Sequence, residues 1–193
     1  MGKIFYLMGK SSSGKDTIYK ELLKNEELGL KNITLYTTRP IRAGETEGVQ
    51  YHFVDDEKCV ELERKGQVIE LREYQTVYGP WKYFTVDDGS LDLEKNDYII
   101  IGTIESYVKT KAYFGENFVK PVLIELDDGI RLQRALNRER NEVNPKYKEM
   151  CRRFIADSED FSEEKIKEAG ISIRFINEDL ASCLSEIESY IKG

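Results

Sequence analysis

Apolar runs alternate with amphipathic ones along the chain, and that alternation predicts its elements. Residues 3–8 read as a buried strand, and residues 17–28 as a helix with Ile18, Leu22 and Leu28 on one side. A short strand over 32–36 precedes a polar, Gly-containing stretch over 37–50, and residues 51–54 read as extended. Asp55 is placed to cap a helix running to about residue 65. Segments 67–74 and 78–85 read as strands joined by a turn, and 97–101 as a fully apolar strand followed by a helix over 104–114. A strand over 119–126 ends at Asp127, which caps a helix through Arg140. After a turn at Asn144-Pro145 a long polar helix spans 146–169, and a strand over 171–176 comes last before a helix striped by Leu180, Leu184, Ile187 and Ile191. Continuous apolar strands separated by helices predict an α/β fold, a parallel sheet covered on both faces. The shorter, more polar strands of the middle third predict a small β-rich insert in that three-layer core.

Composition narrows the function classes. The chain has 193 residues, 40% of them hydrophobic and 34% charged, enough apolar material for one core. Lys and Arg number 29 against 36 Asp and Glu, a net charge of −7 that argues against wrapping nucleic acid. No apolar run approaches the roughly eighteen residues of a membrane span, and residues 4–8 are too short for a secretory signal. Cys59, Cys151 and Cys183 lie far apart, with no CxxC, and His52 is the lone histidine. That inventory argues against a disulfide framework or a histidine metal centre. The expectation is a reduced, soluble, cytoplasmic protein of unassigned oligomeric state, with no nucleic-acid or membrane partner.

The strongest chemical signal follows the first strand. Gly9, Lys10, Ser11, Ser12, Ser13, Gly14, Lys15, Asp16 and Thr17 lead into a helix, and the spacing G-x-x-x-x-G-K suits a loop whose backbone N–H groups wrap a phosphate. The glycines allow tight turning and close approach, Lys15 brings charge to the β/γ-phosphates, and the helix N-terminus adds its dipole. Asp16 stands where Ser or Thr normally offers a hydroxyl to Mg²⁺. It can serve the metal that accompanies ATP, directly or through water, or act as a first-turn acid favoured by the dipole.

A second anion site is suggested by Thr37-Thr38-Arg39-Pro40-Ile41-Arg42. Two arginines three apart in a Pro-containing loop can fork onto one phosphate, with Tyr51 adding a hydroxyl. From residue 4 to about 191 the chain resembles the guanylate kinases. The resemblance is carried by GKSSSGKDT (9–17), TTRPIRAGETEGVQYHFV (37–54), Ile69-Glu70, Tyr78-Gly79, the Arg-rich stretch 131–153 and Ile176-Asn177-Glu178-Asp179-Leu180.

It implies one P-loop kinase domain over 1–193, with a core at about 1–36, 86–130 and 170–193, an acceptor-binding insert at about 37–85 and a helical lid at about 131–155. It implies ATP with Mg²⁺ as donor and GMP as acceptor, held at its phosphate by Arg39, Arg42, Tyr51 and Tyr78. Glu70 would read guanine through its N1–H and N2–H₂ donors. Arg138 and Arg153 would neutralise the transferred group from the lid, the remaining charge there forming a solvated face. Asn177 would contact adenine, unless it caps the last helix.

Three positions depart from the family pattern. Leu35 replaces a serine two places before the first Thr of T-T-R, Pro80 replaces the Ser or Thr after Tyr78-Gly79, and Gly102-Thr103-Ile104 replaces acids after the strand 98–101. Losing hydroxyls at a base pocket relaxes discrimination. Two other readings therefore stand beside GMP phosphorylation: a kinase for a different nucleotide or small phosphorylated acceptor, and a non-catalytic module that binds phosphorylated peptides. Such modules usually lose the P-loop lysine, which is present here. His52 and Trp81 read as packing residues rather than as a base and a stacking platform.

Overall fold

The computed structural model describes residues 1–42, 44–76 and 79–193. Its larger sheet is parallel, in the order β2 (Lys31–Asn32), β7 (Tyr98–Gly102), β1 (Ile4–Gly9), β8 (Val119–Glu125), β9 (Arg174–Ile176). Every residue of the central strand β1 is buried, and its side chains alternate between two cores. Phe5 and Leu7 pack against Ile18 and Leu22 of α1 (Lys15–Lys24) and Cys183 and Ile187 of α7 (Leu180–Lys192). Ile4, Tyr6 and Met8 face Ile104 and Tyr107 of α3 (Ile104–Phe114), with Phe161 and Ile166. This is the three-layer α/β arrangement expected of apolar strands between helices.

The second sheet has the order β4 (His52–Phe53), β3 (Tyr36–Thr37), β6 (Gly79–Val86), β5 (Val68–Thr76). Phe84, Val86, Val68 and Leu71 of this sheet pack on Cys59 and Leu62 of α2 (Asp56–Arg64), capped as expected by Asp55, which accepts from the Lys58 N–H. A bulge between Val68 and Glu70 shifts the register of β5 against β6, so that Glu70 lies opposite Thr85 and Arg72 opposite Tyr83. Residues two apart on a strand share a face, so Glu70, Arg72 and Tyr74 point one way while Leu71 points to α2.

Several boundaries differ from the sequence reading. The first helix ends at Lys24, and residues Glu26–Leu28 form a 3-10 turn capped by the Asn25 side chain. The strand expected over 32–36 is two dipeptide strands in different sheets, because the chain crosses from one sheet to the other there. The helix expected over 146–169 breaks into α5 (Tyr147–Asp160) and α6 (Glu163–Glu168). Phe161 is drawn into the core at the break, and the Ser162 hydroxyl caps the second helix. The last helix is capped by Asp179, which accepts from the Ser182 N–H, and not by Asn177.

Arg131 overturns the expectation of a solvated arginine face. It lies on α4 (Asp128–Arg140) and is 1% exposed. Its Nε donates to the Ser11 carbonyl at 3.0 Å, its Nη2 to Asp157 Oδ2 of α5 at 2.9 Å, and its Nη1 to Asp128 in its own first turn. Asp157 Oδ2 also accepts the Ser11 N–H at 2.7 Å, and the guanidinium lies 5.0 Å from the Phe154 ring. One buried cation thus ties two helices to the loop after β1.

Gly102 ends β7 with no room for a side chain. A Cβ there would meet the Tyr6 hydroxyl at 2.5 Å and Ser106 Oγ at 2.7 Å.

Removing one partner of a buried ion pair leaves the other charge uncompensated, which costs about 3 kcal/mol or more. Arg131→Met is therefore expected to lower the melting temperature by roughly 6–12 °C for a chain of this size. Calorimetry checks this, and an unchanged melting temperature would show that the brace carries no load.

Candidate functional site

The carboxyl ends of parallel strands form the usual crevice for ligands in such a sheet, and the loop after β1 lies there. Gly14 caps α1 in the left-handed region at φ 92°, and no side chain caps that helix. The N–H groups of Gly14, Lys15 and Asp16 find no acceptor among the described residues, leaving the positive end of the helix open to an anion. Ser12 holds φ 64°, unusual for a residue with a side chain. The Ser12 and Ser13 hydroxyls are buried without a hydrogen-bond partner among the described residues. Orphaned donors beside free amides fit a phosphate ligand.

The loop holds this shape because its carbonyls are bound from outside. Arg131 takes the Ser11 carbonyl, and the buried Asn177 donates Nδ2 to the Ser13 carbonyl at 2.7 Å. Asn177 is 3% exposed, and its amide nitrogen is spent on the loop rather than displayed to a base. A Cβ at Gly14 would meet that nitrogen at 2.2 Å, so Gly14 is required both by its backbone angle and by this contact. Lys10 lies 3.4 Å from Asp128 on the outer side of the loop.

A cavity of about 350 Å³ joins the loop to the smaller sheet. Lys15 and Asp16 line it from one side, Tyr51, Tyr74, Tyr83 and Arg72 from the other, with Leu35, Ile101, Gly102 and Thr103 between. Burial pushes the Tyr51 hydroxyl above its ordinary pKa, so it stays a donor.

The paired-arginine fork is not displayed as expected. Arg39 is 3% exposed and forks instead onto Glu45, at 2.9 and 2.8 Å, while Nη1 also donates to the Pro40 carbonyl. Its guanidinium sits 5.4 Å from the rings of Tyr51 and of Phe53, directly behind the cavity wall. The Arg39 guanidinium holds the Glu45 carboxyl below its usual pKa. Arg42 lies 5.9 Å from the Trp81 ring and makes no ion pair among the described residues.

Glu70 is likewise not presented to a ligand. Its side chain is fully buried, and it accepts from Arg72 Nε at 3.0 Å, Arg72 Nη2 at 3.3 Å and Thr85 Oγ1 at 2.7 Å. The bulge in β5 produces this pairing, and no sequence signal marks it. Tyr78 lies outside the described residues.

Arg138 and Arg153 line a different hollow of about 70 Å³, together with Ser11, Ser12, Arg131, Glu149 and Phe154. Arg153 donates Nε to Glu149, which also receives both Nε and Nη2 of Arg152. Arg152 first and Arg153 second push the Glu149 carboxyl down to about 2. His52 sits 4.6 Å from Tyr36 with the ring planes tilted by 39°, and pairs Nδ1 with Glu47 at 3.0 Å.

Sequence reasoning passed over Arg72 and Asp157, and it read Arg131 as part of an Arg-rich, largely solvated face. Glu70-x-Arg72 at strand spacing was the available signal for the first; Arg131 and Asp157 lie 26 residues apart and carried none.

Comparison with known proteins adds what geometry alone does not. The sequence profile described as guanylate kinase matches residues 1–85. The guanylate kinase of Clostridioides difficile is 40% identical over 79 residues, 40% of this chain and 38% of that protein. That of Aliivibrio fischeri is 36% identical over 93 residues, 46% of this chain and 45% of the relative. These alignments cover less than half the length of either relative. The guanylate kinase of Porphyromonas gingivalis aligns over 99% of this chain and 97% of its own length at 27% identity. The crystal structure of guanylate kinase from Anaplasma phagocytophilum superposes with a TM-score of 0.67 over 99% of this chain and 85% of that one; at 21% identity it speaks for the fold alone. The loop at 9–17, the profile match over the first 85 residues and the end-to-end alignment make the chain similar to guanylate kinases, with a matching architecture.

Proposed function

We propose that this protein transfers the γ-phosphoryl group of ATP to GMP, giving ADP and GDP. The observation that carries the reading is the single cavity in which Lys15 and Asp16 of the phosphate loop meet Tyr83 of the smaller sheet and Tyr51 just before it. In-line transfer needs donor and acceptor phosphates end to end across one space, and little covalent help from the protein. The free amides of the loop and Lys15 hold the β- and γ-phosphates. The Tyr51 hydroxyl donates to the acceptor phosphate, Arg39, neutralised by Glu45, steadies that ring from 5.4 Å, and Arg42 grips the phosphate from the loop rim. An acceptor oxygen then bonds to the γ-phosphorus as the bond to the β,γ-bridging oxygen breaks, and the electron pair leaves with ADP.

Mg²⁺ enters with ATP as part of the substrate. Among the described residues no group of three carboxylates, cysteines or histidines is placed to hold a metal unaided. A lone carboxylate on the cavity wall suits Mg²⁺, which takes one or two carboxylates and completes its shell with phosphate oxygens and water. Asp16 is the carboxylate on the cavity wall. Arg138 and Arg153 bring charge from the lid side, where they already share a hollow with Ser11 and Ser12.

A second reading keeps this chemistry and changes the acceptor, and the engagement of Glu70 by Arg72 and Thr85 favours it. A phosphopeptide-binding module without catalysis fits less well, since it has no use for Lys15 beside three unpaired loop amides.

Assays of ADP production with GMP, dGMP, AMP, CMP and UMP test the proposal; GMP is expected to give turnover, and silence from all five sinks it. Lys15→Ala is expected to reduce kcat by roughly 100- to 1,000-fold while the protein stays folded, the usual cost of losing one aimed donor to developing charge. Tyr51→Phe removes a hydrogen bond to a charged group, worth about 1.5–3 kcal/mol. Steady-state kinetics should show kcat/KM for GMP about 10- to 100-fold lower; a value equal to wild type would remove Tyr51 from the acceptor site.

A further inference from the structure

Arg72, not Glu70, is the charged group that the smaller sheet shows to the acceptor cavity. Arg72 lines it, and the Glu70 side chain has no exposed surface. A guanidinium carries five N–H donors in a fixed plane. The edge formed by Nε and Nη2 is spent on the two oxygens of Glu70. Nη1 makes no hydrogen bond among the described residues. The far edge of the guanidinium, Nη1 with the second hydrogen of Nη2, therefore keeps a pair of parallel donors.

Charge balance decides what those donors suit. Glu70 neutralises Arg72 at contact distance, and Thr85 completes the carboxylate's shell. A neutralised cation with free N–H groups suits uncharged acceptor atoms better than a second anion. Two adjacent acceptors at guanidinium spacing are the O6 and N7 atoms of a 6-oxopurine, the pairing arginine makes with guanine. Adenine offers N7 beside an N6 amino donor, which faces the guanidinium with the wrong polarity. Leu35, also on the cavity wall, brings only hydrocarbon, so it supplies no acceptor for the 2-amino group of guanine.

We propose that Arg72 is a specificity-determining residue that reads O6 and N7 of the acceptor base, so that guanine and hypoxanthine nucleotides are accepted alike. This rests on the reading above, that the cavity takes a nucleoside monophosphate. It differs from recognition by a carboxylate, which would favour guanine over hypoxanthine through the 2-amino group.

The test measures both binding and ADP production for GMP, IMP, 7-deaza-GMP and AMP with the unmodified protein. Expected affinities for GMP and IMP agree within about threefold, because neither contact involves the 2-amino group. Removing N7 in 7-deaza-GMP deletes one charge-assisted bond and should weaken binding about 10- to 100-fold, with AMP weaker still. Arg72→Lys keeps a positive charge beside Glu70 but loses the parallel pair, so it should bring GMP and 7-deaza-GMP level. A tenfold or greater preference for GMP over IMP, or equal binding of GMP and 7-deaza-GMP, overturns the assignment even if Arg72→Lys fails to fold. Binding in the expected order without ADP formation would leave Arg72 in place and sink the transferase reading; no binding of any of the four sinks both.

Discussion

A loop can leave its N–H groups unpaired for a ligand only if something else holds its shape. Here the holding is done through the other half of the peptide groups. The carbonyls of Ser11 and Ser13 are bound by Arg131 and Asn177, side chains that arrive from 120 and 164 residues away. Because the brace uses carbonyls at these positions, the amides at Gly14, Lys15 and Asp16 stay available, and the left-handed turns at Ser12 and Gly14 are sustained. The brace extends to α5, since Asp157 accepts from both Arg131 and the Ser11 N–H. The loop, α4 and α5 are therefore tied together at Ser11.

The acceptor side follows a different logic, in which cations are balanced before any ligand arrives. Arg39 is matched by Glu45 and Arg72 by Glu70. Buried or half-buried arginines need such partners, because an isolated charge in a low-dielectric site costs several kcal/mol. At Arg72 the carboxylate occupies one edge of the guanidinium and leaves the other without a partner among the described residues.

Much of the core was legible because β1 is a run of apolar residues whose alternate members face two helical layers, and that pattern survives any detail of packing. Gly9 to Thr17 was legible for the same kind of reason: glycine spacing and a following helix constrain backbone geometry locally. The long helix over 146–169 was misread because nothing in its polarity announces that Phe161 turns inward. Arg39 and Glu70 were read as ligand groups because their partners could not be seen. Glu45 reaches Arg39 only once the loop folds back, and Thr85 meets Glu70 only through a one-residue bulge. Sequence displays which charges exist; neutralisation across a sheet depends on register.

Gly102 and Tyr6 occupy neighbouring strands, and the tyrosine hydroxyl already fills the volume that any side chain at 102 would claim. The absence of a carboxylate at the end of β7 is thus locked in by a second residue rather than being a free choice at one position. Placing an acid there would require moving both the Tyr6 ring and the Ser106 hydroxyl, so the chemistry at the strand end is fixed by packing beneath the cleft rather than by residue 102 alone.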